Sequence, residues 1–134
     1  MRFLGANVSP AVGATALGWA ALKAAGFDVM SLANNHALDH GEEAFARSVE
    51  LLESRGIEVM GYRPGRYFQD LPTVVDIRGR RIGFLGYNIS NFPTPDRRRM
   101  VDRIVPVVSE VRSGVDSLVV SMHGSILRVD METG

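Results

Sequence analysis

Ser31-Leu32-Ala33-Asn34-Asn35-His36-Ala37-Leu38-Asp39-His40-Gly41 joins two kinds of sequence. Before its polar part, Phe27 to Ala33 is an apolar run of the length of a buried strand. After it, a helical pattern starts at Glu42. Between them stand two amides, an imidazole, a carboxylate, a second imidazole and a glycine. Two of the three histidines in the chain lie here. In sheets flanked by helices, ligands bind beyond the carboxyl ends of the strands. This is such an end, and its groups can bind a metal ion or move a proton.

Outward from this stretch, the spacing of Phe45, Val49 and Leu52 predicts a helix over Glu42 to Ser54, stopped at Gly56. Ile57 to Met60 reads as the next strand. Strand, helix, strand in this order implies a parallel pair with a right-handed crossover. Upstream, Leu17, Ala20, Ala21 and Ala24 share a stripe that predicts a helix over Ala14 to Ala25, with Gly26 just past its end. Met1 to Val12 shows no period.

Downstream, Gly61 to Pro72 is an irregular connection. Thr73 to Arg78 and Arg81 to Tyr87 read as a hairpin around Gly79-Arg80. Asn88 to Asp96 reads as a loop. Val101, Ile104, Val108 and Val111 repeat at helical spacing, and Pro106 marks either the start of that helix or a kink in it. Val115 to Met122 is a β-branched strand with His123 and Gly124 at its carboxyl end. Ser125 to Gly134 shows no clear element. No helix follows that last strand to cover it, so one apolar face is expected to stay open and to favour self-association.

The chain has 134 residues, enough for one modest core, and 46% of them are hydrophobic, which argues against disorder. Fifteen basic and fifteen acidic residues leave no net charge, so nothing favours nucleic acid or an anionic membrane as a partner. With no cysteine, disulfides and thiolate metal sites are excluded. No apolar run is long enough to span a bilayer.

Asn35, His36 and His123 are the candidate site residues. His36 is placed to exchange a proton. His123 ends a strand remote in sequence, and if the two strands are neighbours in one sheet the imidazoles share an edge. A neutral imidazole there suits a borderline metal such as zinc, manganese or iron. Asn34 either turns the chain through its own backbone or joins the site. Asp39 stands three residues before Glu42, which matches a capping box, so it is expected to cap the helix and hold the loop. Asn88 follows another strand end and is a supporting position. Arg97-Arg98-Arg99, flanked by Asp96 and Asp102, reads as a solvated helix start.

Ala24 to Gly41, containing Phe27-Asp28-Val29-Met30-Ser31-Leu32-Ala33-Asn34-Asn35-His36, resembles the signature of CapA-type proteins. These are associated with poly-gamma-glutamate capsule synthesis and related to calcineurin-like metallophosphatases. Gly56-Ile57 with Gly61, Gly79-Arg80-Arg81-Ile82-Gly83-Phe84-Leu85-Gly86-Tyr87, and Val119-Val120-Ser121-Met122-His123-Gly124 are similar to later stretches of the family in order and type. The similarity runs from about Phe3 to Gly124.

The resemblance implies an α/β fold: a partial metallophosphatase-like layered architecture with a mixed β-sheet flanked by helices, residues 1–134 forming one domain that stops inside the larger fold at both ends. It implies Asn35 and His123 as ligands of a divalent metal ion (manganese, zinc or iron), and His36 as the acid near the leaving group. The substrate would be an anionic polymer or phosphoester of the cell envelope, and the setting extracytoplasmic. The sequence also departs from the family. The upstream metal-binding aspartate, the Asn-Leu-Glu motif and the downstream Gly-His-x-His motif have no counterpart. Two classes therefore stand: a metal-dependent hydrolase of capsule polymer metabolism, and a non-catalytic binding or scaffold protein with an incomplete metal site.

Overall fold

The computed structural model of the chain describes residues 2–4, 16–90 and 94–124. The expected helix start at Ala14, Asn91 and Pro93 of the expected loop, and the tail 125–134 lie outside them. Among the described residues the strands form two three-stranded sheets. The first is wholly parallel: β1 (Arg2–Leu4), β2 (Phe27–Ser31) and β3 (Glu58–Met60), in that spatial order. The second is mixed. β4 (Thr73–Ile77) runs antiparallel to β5 (Arg80–Asn88), and β5 runs parallel to β6 (Ser117–His123). Among the described residues three helices accompany them: α1 (Ala16–Ala24), α2 (Gly41–Glu53) and α3 (Thr94–Ser113).

Side-chain alternation along the strands explains the layering. Val29 and Met60 point one way, where they meet Phe84 of β5 with Val75, Ile82 and Val119 around them. Met30 and Val59 point the other way, onto Phe45, Val49 and Leu52 of α2. Leu85 and Tyr87 of β5 likewise turn from the first sheet towards Ile104 and Val111 of α3. The order is helix, sheet, sheet, helix. Each fully buried side chain of this size contributes about 1.5–3 kcal/mol.

The α/β class, the mixed sheet and the flanking helices are as the sequence implies. The parallel β2–β3 pair around α2 is as expected too. The strands divide between two facing sheets, however, where neighbours in one sheet were the premise for a shared edge. β1 lies in a segment expected to have no element. Three residues carry no readable period, and pairing with β2 is what makes them a strand. α3 runs through Pro106, so the proline does not start the helix. It forgoes one backbone bond inside it. Nor is the last strand left wholly uncovered. α3, which precedes it, packs on Leu118, while Val120 and Met122 remain 38% and 48% exposed.

The hairpin turn also shifts by one residue. Ile77 pairs with Arg80, so the turn is Arg78-Gly79, with φ of 55° and 75°. Positive φ at both central residues suits the twist of the strands, and Asn-Gly is the usual solution. Arg78 is the one non-glycine residue with positive φ among the described residues. Arg78→Asn is expected to stabilise the fold by about 0.5–1 kcal/mol. Thermal unfolding checks this, and a lower midpoint would refute the strain at Arg78.

Candidate functional site

The site grows from how β2 ends. The Leu32 amide still donates to Met60 O at 3.0 Å, which holds the chain beside β3 for one more residue. Asn34 then turns it: its Oδ1 accepts the His36 N–H at 2.9 Å. Asn34 is buried at 4% exposure, and its Nδ2 has no partner among the described residues. The turn leaves Asn35 half-buried and His36 exposed. Gly41, with φ of 81°, then lets the chain swing into α2.

The second sheet brings His123 to the same place. β5 and β6 are parallel and in register, Phe84 with Val119, Gly86 with Ser121, Asn88 with His123. Phe84 and Val119 face the first sheet. By the two-residue period, so do Asn88 and His123. At the carboxyl end of this layer His123 Nε2 lies 2.8 Å from Asn35 Oδ1, across 88 residues of sequence. Asn35, His36 and His123 thus converge, with His123 arriving from the facing sheet instead of a neighbouring strand.

One arrangement of protons satisfies all the contacts. Asn35 Oδ1 accepts, so His123 Nε2 carries a hydrogen. Asn35 Nδ2 donates to His36 Nε2 at 3.2 Å, so that nitrogen bears a lone pair. The His36 proton is then on Nδ1, where it is donated to Asp39 Oδ2 at 2.8 Å. The result is a directed chain: His123 to Asn35, Asn35 to His36, His36 to Asp39.

Asp39 is therefore not the helix cap that its spacing to Glu42 predicts. His40 occupies the cap position and makes no side-chain cap bond. Asp39 accepts instead from the imidazole three residues back. Its side chain and that of His36 are 45% and 52% exposed, so the pair orients more than it stabilises. Asn88 is buried, and its Oδ1 accepts both the N–H and the hydroxyl of Ser90.

Two residues of the connection 61–72 belong to this region and went unread in the sequence. Tyr62 packs on the α2 core. Burial pushes its phenol up, and hydrogen bonding with the Asn88 side chain opposes that shift. Gln69 is buried between the sheets. Its Oε1 accepts from Gly61 N at 2.8 Å and Gly86 N at 2.7 Å, while Nε2 donates to Phe84 O at 3.1 Å. The Tyr87 hydroxyl donates to the Gln69 carbonyl at 3.0 Å. A lone glutamine, the only one in the chain, inside an aromatic loop was the available signal.

A divalent metal ion is what the resemblance implies at Asn35 and His123. The donor chemistry does not fit one by itself. Asn35 Oδ1 and His123 Nε2 satisfy each other, through a hydrogen on the nitrogen that a metal would need bare. Among the described residues no three or more His, Cys, Asp or Glu side chains are grouped to hold a metal ion.

The family described as bacterial capsule synthesis protein PGA_cap matches residues 9–127. The capsule biosynthesis protein CapA of Bacillus anthracis is 32% identical over 69 residues. That match covers 50% of this chain and 16% of the relative's length. No solved structure matches. Among the described residues no helix is long and apolar enough to cross a membrane.

Proposed function

The chain belongs to the bacterial capsule synthesis protein family PGA_cap, and from that premise we propose that the Asn35–His36–Asp39–His123 array is a proton-transfer site acting on an anionic polymer or phosphoester of the cell envelope. The observation that carries the proposal is the directed chain of hydrogen bonds. It leaves His36 Nε2 with a lone pair able to take up a proton. Among the described residues its occupant is an amide N–H that a substrate can displace.

The mechanism follows from those atoms. Asp39 accepts from Nδ1 and so fixes the tautomer and the tilt of the ring. When Nε2 gains a proton the ring becomes a cation, and the Asp39 carboxylate opposes that charge. The Asn35 N–H must then move aside, because two hydrogens cannot share one contact. His36 can return the proton from Nε2 to a departing oxygen. The hydrolase reading as the resemblance implies it also takes a divalent metal ion, manganese, zinc or iron, which Asn35 and His123, bonded to each other, do not fit by themselves.

His36→Gln is expected to lower turnover of bis(p-nitrophenyl) phosphate by the protein on the order of a hundredfold, with the fold unchanged. Equal turnover in the variant removes His36 from the chemistry. The second reading, a binding or scaffold protein, is favoured by the incomplete donor set. No turnover by the wild type with manganese, zinc or iron present, together with specific retention of an anionic polymer, would establish it.

A further inference from the structure

β4 is an end strand of the second sheet among the described residues, and its residues line two cavities. The hairpin fixes what its outer side presents. Ile77 and Arg80 close the two-residue turn, so they form a hydrogen-bonded pair. Such pairs alternate along an antiparallel ladder. Thr73, Val75 and Ile77 therefore turn their backbone groups towards β5, and Val74 and Asp76 turn theirs outward. Val74 is 38% exposed, and Leu71, just before the strand, 69%. Outward N–H and C=O groups beside exposed apolar side chains are a template for another strand.

The two cavities differ in charge. The one at the start of β4 is lined by Thr73 and Val74 together with Arg63 and Arg66. The one at the hairpin end is lined by Asp76 and Ile77 together with Asp28 and Glu58. Glu58 borders both, and Asp70 shares the first. Arg63 is bonded to Glu53 and to the Val59 carbonyl, and Asp28 is paired with Lys23. Arg66 stands 3.8 Å from Asp70, beyond hydrogen-bond distance, with its side chain exposed.

We infer that β4 pairs antiparallel with β4 of a second copy of this chain, about a two-fold axis at Val75. Outward groups must face outward groups, so Val74 of each copy stands opposite Asp76 of the other and exchanges backbone hydrogen bonds with it. The neighbouring registers are worse. An axis at Asp76 sets two carboxylates against each other, and an axis at Val74 sets Asp76 against Pro72, which has no N–H. The axis at Val75 also exchanges the two ends of the strand. The arginine-lined cavity of one copy then meets the acid-lined cavity of the other, and Arg66 gains a carboxylate partner. Because the interface is isologous, that contact forms twice. β6, the other end strand, has exposed Val120 and Met122 but no acidic or basic pair to fix such a match. β5 runs in opposite directions in the two copies, so the joined six-stranded sheet carries one array at each end.

The chain has no cysteine, so a single introduced thiol reports the register. Opposite residues of a non-hydrogen-bonded pair have Cα atoms about 4.5 Å apart, within disulfide range. The two copies of Val75 are such a pair. The two copies of Val74 are diagonal, about 7–8 Å apart and outside that range. Under mild oxidation Val75→Cys is expected to give on the order of tenfold more linked dimer than Val74→Cys, although Val74 is the more exposed position. Sedimentation equilibrium is expected to show the wild type as monomer and dimer in exchange. Arg66→Glu should dissociate about tenfold more readily, since the lost contact occurs twice. Met122→Lys, on β6, should behave as the wild type does. A wild type that stays monomeric at every concentration overturns the inference, as does linking through Val74→Cys that equals or exceeds that through Val75→Cys. An Arg66→Glu variant that dimerises like the wild type overturns it too. A dimer weakened by Met122→Lys also overturns it, by placing the interface on β6. Should Val75→Cys misfold, the two surface variants decide.

Discussion

Gly61→Ala is expected to destabilise the fold by roughly 2–5 kcal/mol, a large part of what a small domain has. Gly61 has φ of 91°, which costs a residue with a Cβ about 1–2 kcal/mol. The larger penalty is steric. A Cβ there would lie 2.6 Å from Ala33 Cβ and 2.9 Å from Ala33 N. Ala33 N is backbone, and it is continuous with the turn that presents Asn35 and His36, so nothing flexible can yield. Gly65 supplies the control. Its φ is 71°, but a Cβ there meets nothing within 4 Å. Gly65→Ala should show the backbone cost alone. Urea unfolding of the two variants separates the effects. Equal losses would mean that the approach of Gly61 to Ala33 is not tight.

Gln69→Leu is expected to cost about 3 kcal/mol or more. Leucine fills most of the space but leaves Gly61 N and Gly86 N without the amide oxygen they donate to. Each buried group left unsatisfied costs about 1–3 kcal/mol. The apolar gain of the leucine offsets a fraction of that. Gln69→Glu divides the effect. A carboxylate can still accept from the two glycine amides, but it turns an oxygen towards Phe84 O and buries a charge. It should therefore also destabilise, and more so as pH rises and the carboxyl ionises. The neighbouring Tyr87 phenol is pushed up to about 12 by burial, with the charge of Asp70 adding to the shift. It stays a donor to the Gln69 carbonyl over that whole range. A Gln69→Leu variant within 1 kcal/mol of the wild type would show that the sheets hold together without the amide.

Much of the first sheet was legible. Val29, Met30 and the Phe45–Val49–Leu52 stripe are local periodic signals, and α2 and the β2–β3 pair follow from them. The convergence of Asn35, His36 and His123 was legible from strand ends. The division into two sheets was not, because alternation tells which residues share a face and not what that face meets. Val29 and Phe84 look alike in sequence whether they lie in one sheet or in two. Asp39 was misread for a related reason. Its spacing to Glu42 satisfies a capping rule, but the His36 imidazole is equally close along the chain and takes the carboxylate instead. Gln69 and Tyr62 lie in an aperiodic loop, so only their long-range partners assign them a role.

The contact between Asn35 and His123 has a consequence for how the molecule acquires its site. The two residues are 88 positions apart and ride on different sheets. The β2–α2–β3 segment can organise from near neighbours, and it carries Asn35, His36 and Asp39 with it. His123 arrives only when β6 has aligned on β5 and the second sheet has closed over the first, which requires the largest loop of the process to shut. During synthesis from the amino end, the array therefore exists for a time as a half-built set, with the Asn35 carbonyl unclaimed. The His123 ring resonance therefore reports the docking of the second sheet on the first.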